Sequence, residues 1–314
     1  MRVIFHYTAG EQLKERLRSF AHRGLDIAVI PPDDEAGFAK ALPSCEALWH
    51  VLKPVTRGVI ETAASLRLIQ KMGAGVDTID LEAAKARGIA VCNLPGTNAQ
   101  AVAEHVLALM LSLLRKIPQF DNETRGGRGW SWPIERQGTL GEINGRTVGL
   151  VGYGATAGKL APILAAIGAN ILYTAPHRVA GAHGAYVTLD DLLAKSDIVS
   201  LHLPLNETTR GVISRDRIAR MKGGSILINT ARGGLVDQTA LADALRSGHL
   251  SAAGLDTFAM EPVEPGNPLL TLNNVVATPH VAWLTLETFN RSFDLMAENC
   301  HRLANGKELI NRVV

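Results

Sequence analysis

At 314 residues the chain has room for two domains with separate cores. Its 46% hydrophobic and 20% charged residues suit a globular protein, and a formal net charge of +2 supplies no basic field to draw nucleic acid or anionic membrane. The scattered Cys45, Cys92 and Cys300 form no C-x-x-C pair, which argues against a disulfide framework or metal centre and suits a reducing compartment.

The N-terminal "MRVIFHY" reads as a strand and lacks the regions of a signal peptide. Short apolar runs then alternate with helical patterns, as βαβ units do, with strands expected at 3–5, 27–30, 47–50, 68–71 and 89–91. The apolar run "VLALMLSLL" lies inside a long amphipathic helix expected over 98–115 and is far too short to span a bilayer. A cytoplasmic protein without membrane contact is expected. The stretch "TRGGRGWSWPIERQGTLGEING" reads as an arm or linker, with Arg125 and Arg128 solvated. From Thr147 the alternation resumes, with strands expected at 148–151, 171–174, 198–202, 225–229, 252–256 and 275–278. Six strands in βαβ order predict a complete doubly wound dinucleotide-binding sheet. The last stretch, "LTLETFNRSFDLMAENCHRLANG", reads as one helix that returns to the first domain.

"VGLVGYGATAGKL" supplies the nucleotide loop. Gly152 permits the tight turn after the strand, and Gly154 lets backbone approach a pyrophosphate. The helix beginning at Ala155 and Thr156 then offers free N–H groups to the anion. Ala157 replaces the third glycine, a tolerated packing variant. Pro162 conflicts with the following helix and is expected to kink it or delay its start. Downstream, "NILYTAPHR" has Ala175 where a carboxylate would hold the ribose 2′-OH, and it adds His177 and Arg178. Loss of an acid and gain of a forked base both favour a 2′-phosphate, so NADP(H) is expected over NAD, which stays possible. The competing reading is a solvated Arg178 and a site indifferent to the 2′ group.

The blocks "KMGAGVDTIDLEAAKARGIAVCNLPGTNAQAVAEHVLALML", "DIVSLHLPLNETTRGVI", "MKGGSILINTARGGLVD", "AAGLDTFAMEP" and "TPHVAW" follow one another in order. Over nearly its whole length the chain resembles the D-isomer-specific 2-hydroxyacid dehydrogenases. The resemblance implies an α/β protein of two doubly wound parallel-sheet domains with the active site in the cleft between them. A flavodoxin-like substrate domain would comprise 1–98 plus 285–314, and a Rossmann nucleotide-binding domain 99–284. It further implies a nicotinamide cofactor, a small 2-oxo or 2-hydroxy acid substrate and a homodimer.

Arg232 in "NTARGG", Glu261 in "DTFAMEP" and His280 in "TPHVAW" match the family's catalytic positions. Reducing a 2-oxo acid requires a hydride on C2 and a proton on the carbonyl oxygen. A histidinium donates such a proton near neutrality, a carboxylate on its other nitrogen orients it, and an arginine grips and polarises the 2-oxo acid. Alone, each residue reads equally well as a loop or surface residue. "GAGVD" resembles the substrate-carboxylate loop, with an anion nest at Gly75 and Val76, or is a plain turn. Lys53 is a second carboxylate handle or a solvated lysine. Asp256 matches the position facing the nicotinamide carboxamide, Leu203 and Pro204 match the adenine wall, and Thr230 completes the expected cofactor set. Trp283 is expected to limit substrate bulk. Trp130 or Trp132 either reaches a partner subunit's active site, as in relatives resembling glyoxylate/hydroxypyruvate reductases, or packs in a core or interface.

The leading expectation is an NADPH-preferring reductase of glyoxylate or hydroxypyruvate. Phosphite oxidation and a nucleotide-sensing, corepressor-like binding protein are the alternatives; formate oxidation is disfavoured because Glu261 stands where those enzymes generally carry glutamine.

Overall fold

The computed structural model describes residues 1–130, 134–136 and 138–314, so Trp132 lies outside the described residues. The chain divides into two compact units, Met1–Asn98 with Thr285–Val314, and Ala99–Leu284.

The first unit carries β1 (Arg2–His6), β2 (Asp26–Val29), β3 (Ala47–His50), β4 (Leu68–Lys71) and β5 (Ala90–Cys92). They form one parallel sheet in the order β2-β1-β3-β4-β5, the flavodoxin-like winding. All residues of β3 and β4 are buried, as expected of parallel strands covered on both faces. Helix Leu286–Ala304 joins this unit, capped by Thr285 accepting from the Thr288 N–H. Its spacing of Phe289, Phe293, Met296 and Cys300 makes one buried stripe. Phe293 stacks on Trp49 at 6.0 Å and meets Phe5 edge-on at 5.4 Å. Each such buried side chain contributes about 1.5–3 kcal/mol of transfer free energy. The buried amide of Asn299 donates to the Gln70 side chain and the Ile310 carbonyl, which satisfies polar groups the apolar stripe would strand.

The second unit has seven strands: β6 (Thr147–Val151), β7 (Asn170–Thr174), β8 (Ala185–Tyr186), β9 (Ile198–Leu201), β10 (Ser225–Asn229), β11 (Leu250–Leu255) and β12 (Val275–Ala277). Their parallel order is β12-β11-β10-β9-β6-β7-β8, so the winding reverses between β6 and β9. Sequence alone predicts six. The seventh, β8, is a two-residue edge strand with both residues exposed, too short to leave a periodic signal. Other boundaries move by a residue or two, and the late start that Pro162 could impose does not occur. Helix Ala155–Ala166 begins directly after Gly154 and continues through the proline. Its Ala157, Leu160, Ala161 and Leu164 are buried, so packing holds the helix where local propensity opposes it. Helix Ile117–Arg125 leads into the arm, where Ile134–Arg136 makes a 3-10 turn.

Candidate functional site

Ligands of doubly wound sheets bind beyond the carboxyl ends of the strands, where the winding reverses. In the second unit β6 ends there and runs into the glycine loop. Gly152 has φ +95°, and a Cβ on it would stand 2.6 Å from the His202 carbonyl oxygen. Glycine is therefore required here by the chain's own close approach to the segment after β9. Gly154 differs: its φ is −91° and a Cβ would meet nothing within 4 Å. Among the described residues no contact requires glycine at 154, and the open space over it suits a ligand lying on the backbone. No side chain caps the helix that starts at Ala155 and Thr156, so its N-terminus is available to an anion. Leu203 is half-buried against the core and Pro204 is exposed, both directly after β9. Thr230, at the end of β10, is 8% exposed with its hydroxyl unpartnered. An open backbone cradle, an uncapped helix and an orphaned hydroxyl at the strand ends fit a dinucleotide.

After β7 the chain passes Ala175, which is partly buried, to the exposed His177 and Arg178. The Arg178 guanidinium lies 6.0 Å from the centre of the Tyr186 ring, a cation–π distance that holds the base on this loop. Among the described residues no carboxylate lies between Asn170 and Gly184.

Arg232, Glu261 and His280 come together within this unit. Gly233 explains part of their approach: a Cβ there would stand 1.9 Å from the Phe258 carbonyl carbon. Only glycine lets the loop carrying Arg232 press against the loop carrying Glu261. Arg232 donates from Nη1 to the Ala231 carbonyl at 2.8 Å, while its own carbonyl accepts from Asn229. Glu261 Oε1 accepts the Phe258 N–H at 2.9 Å, and Oε2 lies 2.6 Å from His280 Nδ1. Burial pushes the Glu261 carboxyl up, but the His280 hydrogen bond and charge, the Phe258 N–H and the Arg232 charge outweigh it and hold it below the usual glutamate value. A carboxylate on Nδ1 makes that nitrogen the donor, which leaves Nε2 to exchange a proton with a substrate.

His280 has φ +55°, an uncommon conformation for a residue with a Cβ. Three contacts hold it. Its N–H donates to the Asp256 and Thr278 carbonyls at 2.8 and 3.1 Å, and its own carbonyl accepts the Trp283 indole N–H at 3.0 Å. Trp283 is 8% exposed, so its ring is largely packed away and its indole N–H anchors the histidine loop. Asp256 is fully buried, and its carboxylate accepts from Thr278 Oγ1 at 2.6 Å and from the Val281 and Ala282 N–H groups at 2.9 Å. This carboxylate is engaged with the loop that carries His280.

In the first unit, the Gly73 and Ala74 carbonyls accept from Leu94 N–H and the Asn93 amide, each at 2.8 Å. Among the described residues no acceptor takes the Gly75 or Val76 N–H, leaving both for an anion. Lys53 is tied down: its ammonium donates to the Pro32 carbonyl at 2.7 Å and meets Glu35 at 3.2 Å. Sequence reasoning passed over three basic residues at neighbouring strand ends: His6, His50 and Lys71, paired in register across β1, β3 and β4. They are 4%, 0% and 5% exposed, and Lys71 donates to the Val51 carbonyl. Burial, then the Lys53 charge, lowers the His6 pKa to about 4; burial, then Lys71 and His6, holds His50 well below the usual value. A basic residue closing each of three strands was a readable signal, but only once strand order is known. Among the described residues no group of three or more His, Cys, Asp or Glu is placed to hold a metal, and no helix is long and apolar enough to cross a membrane.

Residues 107–282 match the family described as D-isomer specific 2-hydroxyacid dehydrogenase, NAD binding domain. The chain is 36% identical over 321 residues to the D-3-phosphoglycerate dehydrogenase of Archaeoglobus fulgidus; the match covers 100% of this chain but 59% of that protein. It is 39% identical over 297 residues to the glyoxylate reductase of Aeropyrum pernix, covering 90% of this chain and 88% of that one. Among solved structures, an acyclic imino acid reductase (Bsp5) in complex with NADPH and D-Arg superposes with a TM-score of 0.86 at 29% identity, with each chain covered in full. A matched family over more than half the chain, a relative 39% identical over 90% of the chain and two parallel sheets with the expected motifs at their strand ends lead to one assignment: the chain belongs to the D-isomer-specific 2-hydroxyacid dehydrogenase family.

Proposed function

We propose that this chain is a nicotinamide-dependent oxidoreductase that reduces small 2-oxo acids, with glyoxylate or hydroxypyruvate as substrate and NADPH as preferred cofactor. The observation that carries the reading is the 2.6 Å contact between His280 Nδ1 and Glu261, beside Arg232. The bound cofactor supplies the hydride. His280 donates a proton from Nε2 to the carbonyl oxygen, Glu261 orients the ring and balances its charge, and Arg232 grips the 2-oxo acid and polarises its carbonyl. In the first unit, read as the substrate domain, the Gly75 and Val76 N–H groups suit a carboxylate. The second, as nucleotide domain, contributes Gly152, Gly154, the N-terminus at Ala155 and Thr156, Leu203, Pro204 and Thr230 to the cofactor.

The absence of a carboxylate near Ala175, with Arg178 beside it, supports NADPH. A panel of 2-oxo acids assayed with NADPH and NADH in parallel tests both claims. A kcat/KM at least tenfold higher with NADPH is expected, falling toward parity in Arg178→Ala. A preference for NADH would remove the cofactor reading. The panel includes 3-phosphohydroxypyruvate because a phosphoglycerate dehydrogenase relative is as similar as the glyoxylate reductase relative. Turnover of that compound above glyoxylate would move the substrate to the second reading. No turnover with any 2-oxo acid would favour the nucleotide-sensing binding protein or phosphite oxidation.

A homodimer is part of the proposal. Ile117 and, in the arm, Trp130 and Ile134 are 55%, 93% and 77% exposed, apolar side chains of the kind a partner chain covers. Sedimentation velocity at micromolar concentration is expected to give twice the chain mass, with Trp130→Arg shifting the population toward monomer. A wild-type monomer would refute it. Three unpaired, buried cysteines are compatible with a cytoplasmic location.

A further inference from the structure

His105 lies in helix Ala99–Arg115, one turn from the buried Ala101 and Leu109, so an imidazole is carried on the helix's core-facing side. Its Nε2 is 3.0 Å from Thr278 Oγ1 and 3.6 Å from Asp256 Oδ1. Thr278 Oγ1 is also 2.6 Å from Asp256 Oδ1. A hydroxyl has one proton to donate. With Asp256 acting as a carboxylate, the Thr278 proton goes to it, so the threonine oxygen accepts from His105 and Nε2 of His105 carries hydrogen. The order is then fixed as His105 to Thr278 to Asp256.

Asp256 passes the constraint on. Its two oxygens hold the Val281 and Ala282 N–H groups, and its backbone carbonyl accepts the His280 N–H. These contacts flank a histidine at φ +55°, a conformation the loop must enforce against the preference of the residue. The Thr278 hydroxyl, itself held by a helix-borne imidazole, adds a side-chain donor to the two backbone N–H groups and completes a connected polar network around a fully buried carboxylate. We infer that His105 is a positioning residue, which acts through Thr278 and Asp256 to hold the loop that aims His280. The role rests on the proposed reductase reading of His280, and it assigns function to a residue outside the catalytic triad.

The test compares His105→Leu, His105→Gln, Thr278→Val and the double variant His105→Leu/Thr278→Val. Leucine keeps bulk and removes the donor; glutamine restores a terminal N–H at a similar reach. In His105→Leu we expect kcat to fall about 10- to 100-fold, the size expected of a misaimed group, with KM for the 2-oxo acid and affinity for NADPH within about twofold. His105→Gln recovers most of the loss. The double variant is no slower than the slower single, because both substitutions break one chain of contacts. Full kcat in His105→Leu, equal damage from leucine and glutamine, or losses that multiply would overturn the inference. A second readout needs no turnover: the His280 ring resonances of histidine-labelled protein, assigned with His280→Asn, move in His105→Leu and return in His105→Gln. If wild-type protein reduces no 2-oxo acid, the reductase reading falls, while unmoved His280 resonances sink the positioning role separately.

Discussion

Replacing His280 with asparagine is expected to lower kcat for 2-oxo acid reduction by about 10² to 10⁴, the usual contribution of a positioned acid. Asparagine is chosen because His280 sits at φ +55°, where asparagine is tolerated far better than most residues. The backbone contacts to Asp256, Thr278 and Trp283 use the N–H and carbonyl of position 280, so they survive the substitution. What is removed is the ring nitrogen proposed to carry the proton and the partner that meets Glu261 at 2.6 Å. NADPH affinity, followed by fluorescence titration, is expected to stay within about twofold, since the glycine loop is carried by other strands. Wild-type turnover in this variant would remove His280 from the chemistry. A loss confined to KM would mean that the ring binds substrate without serving as the acid.

The sequence made the two-domain α/β plan and the motif blocks legible because both are local. Strands of parallel sheets read as short apolar runs, and each motif lies within a few residues of a strand end. Three features escaped for physical reasons. β8 is two exposed residues whose only structural cause is pairing with β7 across a loop. Pro162 opposes its helix locally, and the opposition is outweighed by burial of Leu160, Ala161 and Leu164, which is a tertiary effect. The His105–Thr278–Asp256 contacts join residues up to 173 positions apart, so no window of sequence shows them. Trp283 shows a subtler limit. Its place beside His280 is readable, but nothing in the motif shows that its indole turns back onto the His280 carbonyl and buries its ring.

Glu261→Gln is expected to slow reduction at pH 7 by about 100-fold or more, as loss of an orienting carboxylate commonly does, and to leave a pH signature that plain misfolding would not. Glutamine keeps the shape and can still meet the ring, but it carries no charge. Stability gives the independent check. The folded protein holds the Glu261 carboxyl below its ordinary value, so the unfolded chain binds that proton first as pH drops. The contribution of the pair is thus fully present above the unfolded value of about 4.3 and is lost as pH falls through the lower folded value. The difference in Tm between wild type and Glu261→Gln should be present at pH 7 and close in strong acid. His6 and His202, lowered to about 4 chiefly by burial, act in the range just above: the unfolded chain protonates them first, so both proteins lose stability between about pH 6.5 and pH 4. That loss is common to the pair and cancels in the difference. A Tm gap that persists below the folded Glu261 titration would show that glutamine harms the loop by packing, and the carboxylate's charge would then have no part in holding His280.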